Sequence, residues 1–188
     1  MRKFDNHLLA LSQENAPAAS KEFHRVQILI TPKTYVRIDL GFGDIVKAID
    51  YPVNLSSTKK GPLFESTITL RCYPKEFIFA EKLETVLFRG ESNSRMKDFH
   101  DLYSLIKFGK LSHKNTEEAI KLVFNHRNTS FKELPIRFKQ TGLEQLEKGW
   151  SLYFRRLSPK SSTVLPPFLE QVIADLNEWL AQSTSLIK

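Results

Sequence analysis

A single cysteine, Cys72, stands in a chain of 188 residues. It has no partner for an internal disulfide and cannot build a thiolate zinc site, so it reads as a small packed hydrophobe in a reducing compartment. No apolar run reaches the ~18 residues that a membrane span needs, and residues Met1 to Ser20 lack the apolar centre of a secretory signal. A cytoplasmic location without a membrane partner is therefore expected. Glycine is scarce, with 7 residues against 9 prolines. Gly41 and Gly43 make a short G-x-G with no glycine-rich continuation, which reads as a strand-ending turn and not as a dinucleotide-binding loop. There is no P-loop and no serine-centred nucleophile elbow. The histidines His7, His24, His100, His113 and His126 show no metal-ligand spacing, so no zinc site is expected. Acidic residues are also in deficit, 21 against 28 Lys and Arg, for a net charge of +7. That excess favours anionic partners such as nucleotides, nucleic acid or an acidic protein, and is equally what a basic soluble protein without any such site would carry.

The patterning predicts an α+β fold. Phe23 to Ile30 and Thr34 to Leu40 read as strands around a Thr31-Pro32-Lys33 turn, because proline fixes one backbone angle and cannot donate to a ladder. In the second strand Val36, Ile38 and Leu40 share one face and Tyr35, Arg37 and Asp39 the other, which turns Asp39 away from the core. Gly41 to Asp44 reads as a turn, Asp50 to Gly61 as a polar connection, and Ser66 to Cys72 as a third alternating strand. The pattern then becomes helical. Pro74 suits the first turn of a helix running to about Arg89, since its missing amide proton costs nothing there. Ser94 is the expected N-cap of a helix to about Phe108, stopped by Gly109. Asn115 with Glu118 resembles a capping box for a short helix through Phe124. Two longer patterns, Thr141 to Leu157 and Pro167 to Ala181, follow, the second with Phe168, Leu169, Val172, Ile173, Leu176 and Leu180 at helical spacing. The expected division is a sheet part, Met1 to Cys72, and a helical part, Tyr73 to Lys188.

Charged side chains gather between Lys82 and Asp101. At about 100° per residue, Phe79, Ala80, Leu83, Val86 and Leu87 form a buried arc, and Lys82 and Arg89 lie nearly above one another at its rim. Their stems can pack on apolar neighbours while the heads converge on an anion, or both can simply be surface cations. In the next helix Met96, Phe99, Leu102, Tyr103 and Ile106 make the apolar stripe, with Asp98 on its border. A carboxylate there must be partnered, because desolvating an unpaired charge is costly, and Lys82, Arg89 or Arg95 could supply the partner across a helix pair. Asp101 lies further out and can pair with Lys97, four residues before it. For both aspartates a helix-dipole or surface ion-pair role is the alternative.

The runs Val36-Arg37-Ile38-Asp39-Leu40-Gly41-Phe42-Gly43-Asp44, Tyr51-Pro52, Tyr73-Pro74, Ala80-Glu81-Lys82-Leu83-Glu84 and Asn93-Ser94-Arg95-Met96-Lys97-Asp98-Phe99-His100-Asp101-Leu102 together resemble the AbiEii/AbiGii toxin family of nucleotidyltransferases. The resemblance is strongest from about Arg25 to Leu105 and weaker through Trp150 and the C-terminal helix, so it covers most of the chain. It implies a partial, mixed nucleotidyltransferase sheet of the DNA-polymerase-β type followed by a helical domain. It also implies the toxin of a bacterial toxin–antitoxin or abortive-infection system, transferring a nucleotidyl group from a nucleoside triphosphate with Mg²⁺. By position, Asp39 is implied as a metal ligand and Lys82 as the contact that neutralises triphosphate charge. Asp98 is implied as the group that orients Lys82 or acts on the acceptor, with Arg89 and Arg95 as nucleotide-binding residues and Asp101 and Lys97 as further candidates. An RNA or protein acceptor and a cognate antitoxin are the implied partners.

The G-G-T-type phosphate-holding turn and the D-x-D metal carboxylates of that family are absent from these residues. Metal-assisted positioning and charge neutralisation drive nucleotidyl transfer, so the chain acting alone is expected to be inactive or nearly so. A non-catalytic module that uses the Lys82 and Arg89 edge to hold an antitoxin or a nucleic acid is the competing reading. An incomplete sheet leaves an edge and an apolar face uncovered, which implies a homo-oligomer.

Overall fold

The computed structural model describes residues 23–30, 34–41, 45, 47–54, 57–58, 61–62, 67–157 and 164–183. The chain is α+β and mostly helical, and it divides into two compact units, Met1–Asp44 and Ile45–Lys188.

In the first unit β1 (Phe23–Ile30) and β2 (Thr34–Gly41) form an antiparallel pair with Val26 opposite Ile38 and Arg25 opposite Asp39. The same register sets Ile28 opposite Val36. Gly41 closes the strand instead of opening a turn; the expected Thr31-Pro32-Lys33 turn and residues 42–44 lie outside the described residues.

The second unit opens with a stretch that the sequence pattern misreads. Residues 50–61 are not one polar connection: β3 (Ile49–Asn54) pairs antiparallel with β6 (Thr67–Cys72), and the two-residue strands β4 (Ser57–Thr58) and β5 (Gly61–Pro62) pair between them. Pro52 disguises β3, yet a two-stranded ribbon has a free side on each strand where a missing amide proton is tolerated. Tyr51 faces Leu70 and Val53 faces Ile68 in the ladder, and Ile49, Tyr51, Ile68 and Leu70 remain exposed.

Among the described residues five α-helices follow: α1 (Lys75–Arg89), α2 (Met96–Phe108), α3 (His113–Arg127), α4 (Gln140–Arg155) and α5 (Leu169–Ser183). Helix α1 packs on α2 and α3, α2 also meets α4 and α5, and α4 meets α5. Phe79, Leu83, Phe99, Leu102, Phe124, Trp150, Leu169 and Leu176 are fully enclosed between them, and this burial of large apolar side chains drives the assembly. Phe168, counted in the apolar stripe of α5 by spacing, instead lies before the helix and is 65% exposed.

Glutamates bind backbone amides at helix starts that are far away in sequence. Glu76 of α1 accepts the Ser112 N–H at the head of α3, and Glu147 of α4 accepts the Leu169 N–H at the head of α5. Glu91, in the 3₁₀ turn Gly90–Ser92, accepts the Lys139 N–H at the head of α4. Each carboxylate satisfies one of the orphan donors of a helix N-terminus and places its charge at the positive end of the dipole. Gly142 makes the last contact possible, because a Cβ there would stand 2.3 Å from the Glu91 side chain. Gly90 ends α1 at φ 52°, in the region that disfavours a side chain.

Two caps differ from expectation. Arg95, not Ser94, is the N-cap of α2, since Asn93 Oδ1 accepts the Arg95 N–H at 2.9 Å and forms the turn that precedes the helix. Helix α3 begins earlier and ends later than the pattern suggests: Ser112 is its N-cap, and Asn115 is the residue whose N–H its hydroxyl accepts.

Helices α1 and α3 are also clamped by a buried ion pair. Glu84, 4% exposed, accepts from Arg127 Nη1 at 2.6 Å and from Thr129 Oγ1 at 2.8 Å. Removing Arg127 strands the Glu84 carboxylate in a desolvated place, and removing Glu84 leaves Arg127 with the Glu81 carboxylate at the longer distance of 3.8 Å; breaking a buried pair typically costs about 3–5 kcal/mol, whereas replacing both by apolar groups is often nearly neutral. Urea unfolding is accordingly expected to show Glu84→Ala losing several kcal/mol and Glu84→Met with Arg127→Met recovering most of it. Equal losses in the single and double variants would refute the clamp.

Candidate functional site

Helix α2 begins with a carboxylate that its own apolar stripe carries inward. Met96, Phe99, Leu102 and Tyr103 are buried against the core, and Asp98, on the border of that stripe, is only 3% exposed. A charge in that position needs cations close by. Lys82 Nζ donates to Asp98 Oδ1 at 3.0 Å from α1, and Arg95 Nε stands 3.1 Å from Oδ2. The second contact is ionic without hydrogen-bond alignment, so Oδ2 keeps an unused acceptor direction.

Lys82 is shared. Its ammonium also reaches Asp101 Oδ2 at 2.7 Å, and Asp101 in turn binds Lys97 Nζ through both oxygens, at 2.9 and 2.7 Å. The result is a chain of alternating charges, Arg95, Asp98, Lys82, Asp101 and Lys97, across the α1–α2 contact. Burial alone would push the Lys82 pKa down, but the hydrogen bonds and charges of Asp101 and Asp98 outweigh it and hold it above the ordinary lysine value. Burial likewise disfavours the Asp101 carboxylate, yet Lys82 and Lys97 overcome that and hold its pKa below the ordinary range. Both shifts favour the charged pair. Asp101 stabilises the fold above its unfolded pKa and loses that contribution as pH falls through its lower folded value. Lys82 does so below its unfolded pKa and loses it as pH rises through its higher folded value.

Lys82, Asp98, Arg95 and Lys97 line a cavity of about 830 Å³, within the size range of small-molecule sites. Its other walls are the Glu91–Met96 segment and one face of α4, where Gly149, Tyr153 and Arg156 contribute. Asn93 is 2% exposed and leaves its side-chain N–H₂ without a partner among the described residues. Tyr153 Oη lies 2.6 Å from His100 Nδ1 and ties α4 to α2. Burial lowers the His100 pKa, an effect that Asp101 opposes and Lys97 reinforces, and burial raises that of Tyr153, with Asp101 adding to it.

Of the residues singled out from sequence, Lys82, Arg95, Lys97, Asp98 and Asp101 thus meet at one place. Arg89 sits exposed in the last turn of α1 and is not among the cavity-lining residues. Asp39 belongs to β2 of the first unit, opposite Arg25 in the ladder. Asn93, which stands in the motif without an assigned role, and Tyr153 and Arg156 are cavity residues that the sequence reading did not single out. The first could have been found as an Asx turn ahead of a helix, while the other two lie more than fifty residues beyond the motif and only packing brings them there.

No group of three or more His, Cys, Asp or Glu side chains suited to a metal ion occurs among the described residues. The oxygens of Asp98 and Asp101 already face Lys82, Arg95 and Lys97. The described residues therefore do not fit a resident Mg²⁺, and no ligand role follows for Asp98 or Asp101. No described helix is long and apolar enough to cross a membrane.

Comparison with known proteins adds a family. Residues 5–181 match the family model described as nucleotidyl transferase AbiEii toxin, type IV TA system. No curated protein and no solved structure matches the chain.

The depressed His100 pKa carries a pH dependence of its own. A histidine whose folded pKa lies below its unfolded value stabilises the fold above that unfolded value and loses the contribution as pH falls through the folded one. Urea unfolding at stepped pH is expected to show the wild-type chain losing stability below about pH 6.5, with His100→Asn losing measurably less over the same interval. Parallel losses in the two chains would contradict the assignment.

Proposed function

The chain belongs to the AbiEii family of nucleotidyl transferase toxins of type IV toxin–antitoxin systems, and from that premise we propose that the α1–α2 charge cluster is the triphosphate-binding half of a nucleotidyl-transfer site. In this reaction the oxygen of an acceptor hydroxyl forms a bond to the α-phosphorus and its proton passes to solvent, the bond from that phosphorus to the β-phosphate oxygen breaks, and pyrophosphate leaves. The negative charge on the phosphates has to be met by fixed cations, and positioning with electrostatic stabilisation supplies most of the catalysis.

The single observation that carries this reading is the double anchoring of Lys82. Two aspartates hold its ammonium at the wall of the cavity, only about a quarter of its side chain is exposed, and it is kept protonated. A lysine so held needs no reorganisation to meet an incoming phosphate. Asp98 is read as the residue that orients Lys82, because its Oδ1 accepts from Lys82, its Oδ2 lies against the Arg95 cation and its carboxylate is buried away from an incoming acceptor. Arg95 and Lys97, at the mouth, are the outer phosphate contacts; Asp101 holds Lys82 from the other side. Asp39 remains the proposed strand carboxylate of the first unit. Mg²⁺ enters as the ion that accompanies the triphosphate and is assigned no ligand among the described residues.

An RNA or protein as acceptor, a cognate antitoxin and a cytoplasmic setting belong to the same proposal, as what the family assignment supports. Isothermal calorimetry with Mg²⁺ and each of the four ribonucleoside triphosphates tests its core. Lys82→Ala is expected to weaken binding about tenfold or more, the scale of one lost charge-assisted contact. Asp98→Asn is expected to weaken it less, because Asp101 still holds the lysine. Binding by Lys82→Ala as tight as by the wild-type chain would sink the proposal.

A further inference from the structure

Helix α4 turns one face toward the cavity. Gly149, Tyr153 and Arg156 lie at spacings of four and three, so they stack along one side of the helix. Gly149 keeps that wall low, since a Cβ there would already stand 3.2 Å from the Met96 side chain. Tyr153 is fixed from two directions, by the 2.6 Å contact of its hydroxyl with His100 and by packing of its ring against Trp150, which is fully buried. One turn further on, Arg156 is therefore carried on a segment whose distance from α2 is set.

The charges of the cavity are unevenly committed. Its lining holds four cations, Lys82, Arg95, Lys97 and Arg156, against the two carboxylates Glu91 and Asp98. Lys82 is engaged by Asp98 and Asp101, Lys97 by Asp101, and Arg95 lies against Asp98. Glu91 is turned to the Lys139 amide. Arg156 has no carboxylate partner among the described residues, and it stands on the α4 wall while the other three cations belong to α1 and α2. Its place at the C-terminus of α4 complements the helix dipole, but that role is already served by Arg155 in the last turn and does not require a position on the cavity.

We infer that Arg156 is a phosphate-binding residue of this site, reaching from α4 to the triphosphate tail of the nucleotide that Lys82 meets from α1. The inference rests on the proposed triphosphate site and extends it to a third helix. A guanidinium offers a planar fork of donors that matches two phosphate oxygens at once, which lysine cannot do. With Lys82 and Arg95 on one wall and Arg156 on the other, the phosphates would be gripped from both sides, and the His100–Tyr153 contact would set the width of the grip.

The test compares wild type, Lys82→Ala, Arg156→Ala and Arg156→Lys, each checked for folding by thermal melting, in calorimetric titrations with inorganic tripolyphosphate, with each ribonucleoside triphosphate and Mg²⁺, and with the unphosphorylated nucleosides. Arg156 is exposed at a helix end, so its variants are expected to melt within a few degrees of wild type. Arg156→Ala is expected to bind tripolyphosphate and the triphosphates about tenfold more weakly, Arg156→Lys to lie between it and wild type, and nucleoside binding to stay unchanged. If Lys82→Ala loses affinity while Arg156→Ala binds as wild type does, this inference falls and the triphosphate site stands. If the wild-type chain binds neither tripolyphosphate nor any triphosphate, both fall together.

Discussion

Burial of the Asp98 carboxylate is the constraint around which this molecule is arranged. The residue lies on the inward border of α2 because Met96, Phe99, Leu102 and Tyr103 must face the core, and a charge taken there is tolerated only with cations at hand. Lys82 from α1 answers that need, and Asp101, one turn along α2, answers the excess positive charge that Lys82 brings. The packing of α1 on α2 and the electrostatics of the cavity are thus one arrangement. A lysine held between two carboxylates is both a structural tie and a fixed positive charge on a cavity wall, and the second property is the one on which the proposed triphosphate site rests.

The remaining helices are fastened so that this wall keeps its shape. Glu76, Glu91 and Glu147 each cap a helix distant in sequence, and Glu84 locks α3 onto α1 through Arg127 and Thr129. Helix α4 is located by its packing on the Gly90–Ser92 turn, by Glu91 at its head and by the His100–Tyr153 contact near its end. It supplies the opposite wall of the cavity without contributing to the sequence motif of α1 and α2. A motif can therefore name the charged residues of one wall while the facing wall is written in a part of the chain that shows only helical periodicity.

Legibility from sequence follows the range of the interaction concerned. The strands β1 and β2, the start of α1 near Pro74 and the Lys97–Asp101 pair are local or periodic, and pattern alone finds them. The partners of Asp98 could be narrowed to three cations, of which Lys82 and Arg95 hold it while Arg89 lies exposed in the last turn of α1. Strand β3 was hidden by Pro52, and the cap of α3 by a capping-box pattern that begins three residues too late. Tyr153, Arg156 and the three capping glutamates depend on contacts between distant elements, for which one sequence carries no periodic signal.

The most direct measurement of the central claim is the titration of the Lys82 ammonium by NMR in the wild-type chain and in Asp98→Asn and Asp101→Asn. Burial of Lys82 acts to lower its pKa, and the hydrogen bonds and charges of the two aspartates reverse that effect. The account predicts a wild-type pKa above that of an ordinary lysine, a fall in each single variant, and a value below the ordinary one when both aspartates are replaced. An ordinary or depressed pKa in the wild-type chain, unchanged by either substitution, would show that the aspartates do not hold Lys82 and would contradict the account.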